Sequence, residues 1–256
     1  SKNEINNASL ILAVHPMVGC LDSDYMTSFA KSFSVPLLFD SVESVTECLP
    51  SGKIGQFGEG EVFSMHASKL INGIEGGYVT TNNEELYLEL LRFQNFSLLN
   101  GELTSPFSMN AKLNEGHAAF ALSSLDDLNI LIAHNLSIYK EYKKFEYIVN
   151  NKFTILKYDD SFSPSYKMIV AELNEEYISY RSELISVLNS IDIFSRNYYS
   201  PLHLKNNSCK IINKKLNITE SYSNRLFTLP SGWQLNKVHI APLLQLINKI
   251  INDIAK

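Results

Sequence analysis

The first forty residues alternate a short apolar run, a helix-patterned stretch and a second apolar run, and this order restricts the fold more than any other feature of the chain. "SLILAVHP" reads as a buried strand that stops at its proline. "DSDYMTSFAKSFS" offers Asp22 or Ser23 as a cap and spaces Met26, Phe29, Ala30 and Phe33 along one helical face. "VPLLFD" is then a second buried strand, ending on Asp40. Strand, helix, strand is the signature of a parallel sheet covered by helices, so the expected class is α/β with a mostly parallel sheet. In such sheets chemistry collects at the carboxyl ends of the strands, which is where Asp40 falls.

Further along, a glycine-rich loop, "SGKIGQFGEG", precedes two more strand-like runs, "EVFSMH" and "GGYVTT", and "NNEELYLELLRFQNF" reads as a capped amphipathic helix. From Asn114 to about Asn150 apolar residues recur at helical spacing, which predicts a long helix or a helix pair joining two domains. Beyond it the pattern changes to strands at "KFTILKY" and "KMIVAEL", a helix at "EEYISYRSELISVLNS", a strand at "DIFSRNYY" and a closing helix at "NKVHIAPLLQLINKIINDI". The expected division is therefore a large domain over 1–130 and a smaller α+β domain over 131–256.

Composition narrows the function. A net charge of -5 and the absence of a concentrated basic face argue against nucleic acid as a partner. The longest apolar stretches fall short of the roughly 20 residues a membrane-spanning helix needs, and no signal peptide is visible, so the expectation is a cytoplasmic protein without a membrane partner. Cys20, Cys48 and Cys209 are odd in number, widely spaced and without a C-x-x-C pair, which suits a reducing compartment and gives no metal site.

Within the chain one lysine stands out. Lys69 lies in a short polar turn between two apolar runs, in "VFSMHASKLINGIEGGYVTT". A partly desolvated lysine can condense with a carbonyl to form an imine. If that carbonyl belongs to pyridoxal phosphate, the protein must add an acid for the pyridine nitrogen and donors for the phosphate. Asp40 is a candidate for the first, and Ser64 and Ser68 for the second. His66 reads as a packed, hydrogen-bonded residue, and His15 as either pocket lining or structure.

These segments resemble the DegT/DnrJ/EryC1/StrS family of pyridoxal-phosphate aminotransferases, which act on nucleotide-linked keto sugars. "FSMHASK" followed by "EGG", with "LLFDSVES" upstream, is similar to the family's F-S-x-H-x-x-K and G-E-G-G pattern. The resemblance implies that Lys69 is the Schiff-base residue, Ser64 a phosphate ligand and Asp40 the partner of the pyridine nitrogen. "MNAKLNEGHAAFALSSLDDL" resembles a stretch whose asparagine, here Asn110, reaches the cofactor phosphate of the neighbouring subunit, which implies a homodimer. "IFSRNYYSPLHL" resembles a segment near the substrate pocket, with Tyr199, Pro201 and His203 corresponding, and His15 is grouped with Tyr199 and His203 as substrate-binding. The implied fold is that of fold type I pyridoxal-phosphate transferases. The implied reaction moves an amino group, from glutamate, to a nucleotide-linked keto sugar for surface-glycan synthesis.

Two departures accompany the match. Family members carry a further segment ahead of the part matched here, holding a phosphate loop and a ring-stacking aromatic, so the large domain is expected to be N-terminally incomplete. Glu43 stands where the family has His or Gln near the cofactor's 3-oxygen, and Val42 replaces a common alanine. Both motivate an alternative, a non-catalytic homologue acting as dimer partner or scaffold. Sugar dehydration is a third expectation, and the lysine argues against it.

Overall fold

In the computed structural model of the chain, the structure describes residue 5 and residues 7–198 and 216–256. Tyr199, Pro201, His203 and Cys209 lie outside the described residues. The chain forms two compact units, Ser1–Leu131 with Asp159–Ser165, and Ile132–Tyr158 with Tyr166–Lys256.

In the first unit β1 (Ile11–Val14), α1 (Ser23–Ser32) and β2 (Leu37–Asp40) follow the anticipated order, and Asp22 caps α1 by accepting a hydrogen bond from the Tyr25 N–H. A two-residue hairpin, β3 (Cys48–Leu49) and β4 (Gly52–Lys53), precedes β5 (Gly60–Ser64) and β6 (Gly77–Thr80). The sheet order is β1-β2-β5-β6, with the first three strands parallel and β6 antiparallel to β5. The sheet is therefore mixed at one edge.

Side chains alternate across this sheet. On one face Ala13, Leu37, Phe39 and Phe63 are buried against Ala30 and Met26 of α1 and against Leu49 and Ile54 of the β2–β5 connection. Phe39 is wholly buried, a contribution of roughly 1.5–3 kcal/mol from its area alone. On the other face the register aligns Val14, Asp40, Val62 and Val79 in one row. Leu12, Val14, Val62 and Val79 there are all 40% exposed or more.

The inward set also contains Glu61, fully buried. Its carboxylate accepts hydrogen bonds from the Gly55 and Phe57 N–H groups at 2.7 and 2.8 Å and from the Ser41 hydroxyl at 2.5 Å. Saturated in this way, a buried carboxylate pins the glycine-rich loop to the end of β2.

Helix α2 (Glu84–Phe93) is capped by Asn83, yet none of its residues is buried. A further two-residue hairpin, β7 (Leu98–Leu99) and β8 (Glu102–Leu103), leads to the segment before α3. The long helical stretch is a pair, α3 (Glu115–Asp126) and α4 (Leu128–Phe145), separated at Asp127, and the division between units falls within α4.

In the second unit β9 (Phe153–Ile155), β10 (Ile169–Leu173) and β11 (Leu226–Leu229) form an antiparallel sheet ordered β11-β10-β9. Helices α5 (Arg181–Ser190), α6 (Asn217–Ser223) and α7 (Ile240–Ile254) complete it. Helix α7 buries Ile240, Leu243, Leu244, Ile247, Ile250 and Ile251 and accommodates Pro242 in its first turn, where an N–H has no intrahelical acceptor. The strand expected at "DIFSRNYY" does not form over its described part, 192–198. Instead Ser195 is tied by its N–H to Asn189 and by its hydroxyl to the Thr228 carbonyl. Side-chain bonds there replace a continuous ladder.

Candidate active site

Lys69 sits in the connection between the antiparallel pair β5 and β6, past the carboxyl end of β5. That connection is folded by main-chain bonds. The Met65 N–H reaches the Gly76 carbonyl, the Ala67 N–H the Ile74 carbonyl and the Gly73 N–H the Met65 carbonyl, each at 2.8 Å. Gly76 has φ +125° and Gly77 has no room for a side chain, since a Cβ there would lie 2.6 Å from the Phe63 carbonyl oxygen. This explains the paired glycines of "EGGYVTT". Ile74 also adopts a positive φ of 68°, a costly conformation for a β-branched residue.

Helix α3 braces the turn from outside. Its Ser124 hydroxyl donates to the Leu70 carbonyl at 3.3 Å and accepts from the Asn72 N–H at 3.0 Å, while Ala121 packs with Met65 and Ile71. The backbone around Lys69 is thereby anchored on both sides.

The side chain of Lys69 is 15% exposed and that of Glu43 10%, and Lys69 Nζ donates a hydrogen bond to Glu43 Oε1 in an ion pair. Glu43 follows Asp40 by three residues, on the connection that leaves the carboxyl end of β2. Parallel strands place their carboxyl ends together, so residues 26 apart in sequence meet.

Asp40 closes β2 on the open face of the sheet, and its Oδ1 accepts from the Val42 N–H at 3.3 Å. Ser64 lies on the same face by register, with its Oγ accepting from the His66 N–H at 3.2 Å. His66 and Ser68 are both exposed and hydrogen-bonded to each other at 2.8 Å, and His66 stands 3.7 Å from Glu75. The packed environment expected for His66 is thus absent. Asn110 is exposed and bridges to Asn95.

His15 follows β1 directly, but its ring stacks on Phe39 at 5.4 Å, on the opposite face of the sheet from Asp40. It is 4% exposed, its Nδ1 accepts from the Leu21 N–H, and its Nε2 has no hydrogen-bond partner. Burial lowers its pKa to about 4, so the ring is neutral. The structure therefore gathers Asp40, Glu43, Ser64 and Lys69 at one end of the sheet, and sets His15 in the core.

A buried acid and a half-buried thiol lie beside each other in this unit. Glu47 is 4% exposed and burial raises its pKa to about 7. Burial, followed by the charge of Glu47, raises Cys20 to about 11, so its thiol stays protonated. Among the described residues no cluster of His, Cys, Asp and Glu could hold a metal ion, and no helix is long and apolar enough to cross a membrane.

Known proteins share this fold. The structure of DesI, determined in the presence of its TDP-sugar product, superposes with a TM-score of 0.86 at 26% identity, over 95% of this chain and 62% of DesI. Helicobacter pylori PseC, an aminotransferase of pseudaminic acid biosynthesis, superposes with a TM-score of 0.83 at 21% identity, over 95% of this chain and 67% of PseC. In sequence, the GDP-perosamine synthase of Vibrio cholerae is 24% identical over 234 residues, which are 90% of this chain and 63% of that enzyme. The dTDP-4-amino-4,6-dideoxy-D-glucose transaminase of Shigella dysenteriae is 24% identical over 193 residues, 75% of this chain and 52% of the relative. The chain thus spans between half and two thirds of the length of these two curated relatives. The model of the DegT/DnrJ/EryC1/StrS aminotransferase family matches residues 3–247, and the chain belongs to that family.

Proposed function

We propose that the protein is a pyridoxal-5'-phosphate-dependent aminotransferase that moves an amino group, from glutamate, onto a keto sugar carried by a nucleoside diphosphate, for surface-glycan synthesis in the cytoplasm. One observation carries this reading: Lys69, largely withdrawn from water and braced by α3, meets a carboxylate at the carboxyl end of a parallel sheet in a chain of this family. The relatives' names supply the substrate class.

The residues present fit the cofactor. A primary amine removed from water can attack an aldehyde, a carboxylate at a strand end suits a pyridinium nitrogen, and the hydroxyls of Ser64, at the end of β5, and Ser68, on the connection after it, suit a phosphate. When bound, the cofactor supplies the aldehyde that takes up the amino group and a ring that accepts the electron pair released at the substrate carbon. Lys69 Nζ would hold the cofactor between turnovers and, once released, would be the base placed to move a proton at the substrate carbon. Asp40 keeps a proton on the ring nitrogen. Ser64 binds the phosphate, joined by Asn110 of a second copy of this chain, which makes the active unit a homodimer. Tyr199 and His203 are assigned to the substrate pocket, and His15, buried against Phe39, is given a structural role. No observation favours a non-catalytic scaffold or a dehydrase.

Incubation with pyridoxal phosphate, borohydride reduction and peptide mapping test this directly. Label on Lys69, lost in Lys69→Ala, followed by amino-sugar formation from a nucleotide keto sugar and glutamate, is the expected result. Labelling scattered over surface lysines would overturn it.

A further inference from the structure

The role of Glu43 goes beyond the family pattern, because the residue that meets Lys69 here is an acid. We infer that Glu43 is the counter-ion of Lys69 Nζ in the resting chain, and that it keeps a proton on that nitrogen after the nitrogen has bonded to the cofactor. The inference rests on the assignment of Lys69 made above.

The geometry is specific. Lys69 Nζ donates to Glu43 Oε1, and the two side chains are only 15% and 10% exposed, so solvent screens the pair weakly. Neither partner's backbone is free to drift: Ser124 holds the Lys69 turn, and the Ser41 N–H holds the start of the Glu43 connection to the Val62 carbonyl at 2.9 Å. The other charged groups of these elements are engaged elsewhere. Asp40 accepts from Val42, Glu61 is saturated by Gly55, Phe57 and Ser41, and His66 stands beside Glu75 on the exposed side of the turn. Glu47, further along the Glu43 connection, is buried and neighbours Cys20.

The bond change conserves this pairing. As an ammonium, Nζ carries three protons. When the C–N bond forms and the aldehyde C=O bond breaks, the oxygen leaves as water with two of them. The third proton and the positive charge remain on Nζ. Glu43 therefore faces a cation before and after the step, and no external acid or base is consumed. A carboxylate against this nitrogen favours its charged form. The charged form is also the better electrophile for the incoming amine of the amino donor, so Glu43 is assigned a part in the exchange that admits it.

The test is the pH at which the full chain, loaded with pyridoxal phosphate, converts from the absorption band of the protonated linkage to that of the unprotonated one. Glu43→Gln is expected to lower that midpoint by about 1 to 3 pH units, the usual effect of an opposite charge in contact. Glu43→Asp, which keeps the charge, is expected to recover most of the shift, and this separates a charge effect from a folding defect. An unchanged midpoint in Glu43→Gln, with borohydride still labelling Lys69, would overturn the role of Glu43 and leave the Lys69 assignment standing. Failure to label Lys69 in the wild-type chain would overturn both.

Discussion

The two faces of the four-stranded sheet in the first unit differ in what fills them. The inward face is closed by the chain's own α1 and β2–β5 connection around Phe39 and Phe63. The other face carries Asp40 and Ser64 in a setting of exposed Leu12, Val14, Val62 and Val79. Stability is concentrated on the first and candidate chemistry on the second. A parallel sheet ordinarily has both faces covered, so the open row marks the part of the fold with the fewest constraints from the described residues.

Three experiments probe that contrast. The largest effect is expected from Phe39→Ala, which leaves a cavity under the sheet and should cost about 3–5 kcal/mol in urea unfolding. Val62→Ala, one strand away on the other face, should cost far less. A comparable loss at Val62 would break the comparison by showing that the open face is packed in solution.

The second experiment reads the buried face by its titrating groups. Glu47 has a folded pKa of about 7 against an ordinary 4.5, so its favourable contribution is complete below pH 4.5 and is lost as pH rises through 7. His15 has a folded pKa of about 4 against 6.5, so its contribution is complete above pH 6.5 and is lost as pH falls through 4. Between pH 4.5 and 6.5 the two slopes oppose each other, and their joint effect is nearly flat. Glu47→Gln should uncover a stability that rises with pH by about 2 kcal/mol across that window, and His15→Phe should uncover the opposite trend. Equal pH profiles in both variants and the wild type would show that neither group is buried as described. The smallest effect is expected from Val14→Thr on the open face, within about 0.5 kcal/mol of wild type in the same assay.

Much of this was legible in the sequence where local chemistry decides. The Asp22 cap, the strand ending on Asp40 and the paired glycines after Glu75 each follow from nearest neighbours in the chain. What was not legible depends on distant segments. The direction of β6 is set by the tight turn that carries Lys69, and "GGYVTT" alone does not reveal it. The apolar alternation of "DIFSRNYY" reads as a strand, but Ser195 and Arg196 spend their hydrogen bonds on Asn189 and Thr228. Glu43 is legible as a departure from the family pattern, whereas its contact with Lys69 depends on two strand ends converging. Glu61 could have been found, because it alternates with Phe63 on the inward side of "GEVFS".

The brace that Ser124 places on the turn has a mechanical consequence. With Leu70 and Asn72 both fastened to one hydroxyl of α3, the main chain beside Lys69 behaves as a fixed post. Any excursion of the amine, toward Glu43 or away from it, is then left to the torsions of its own four-carbon stem. The lysine swings on a stationary hinge, and the arc it can reach is set by its side chain alone.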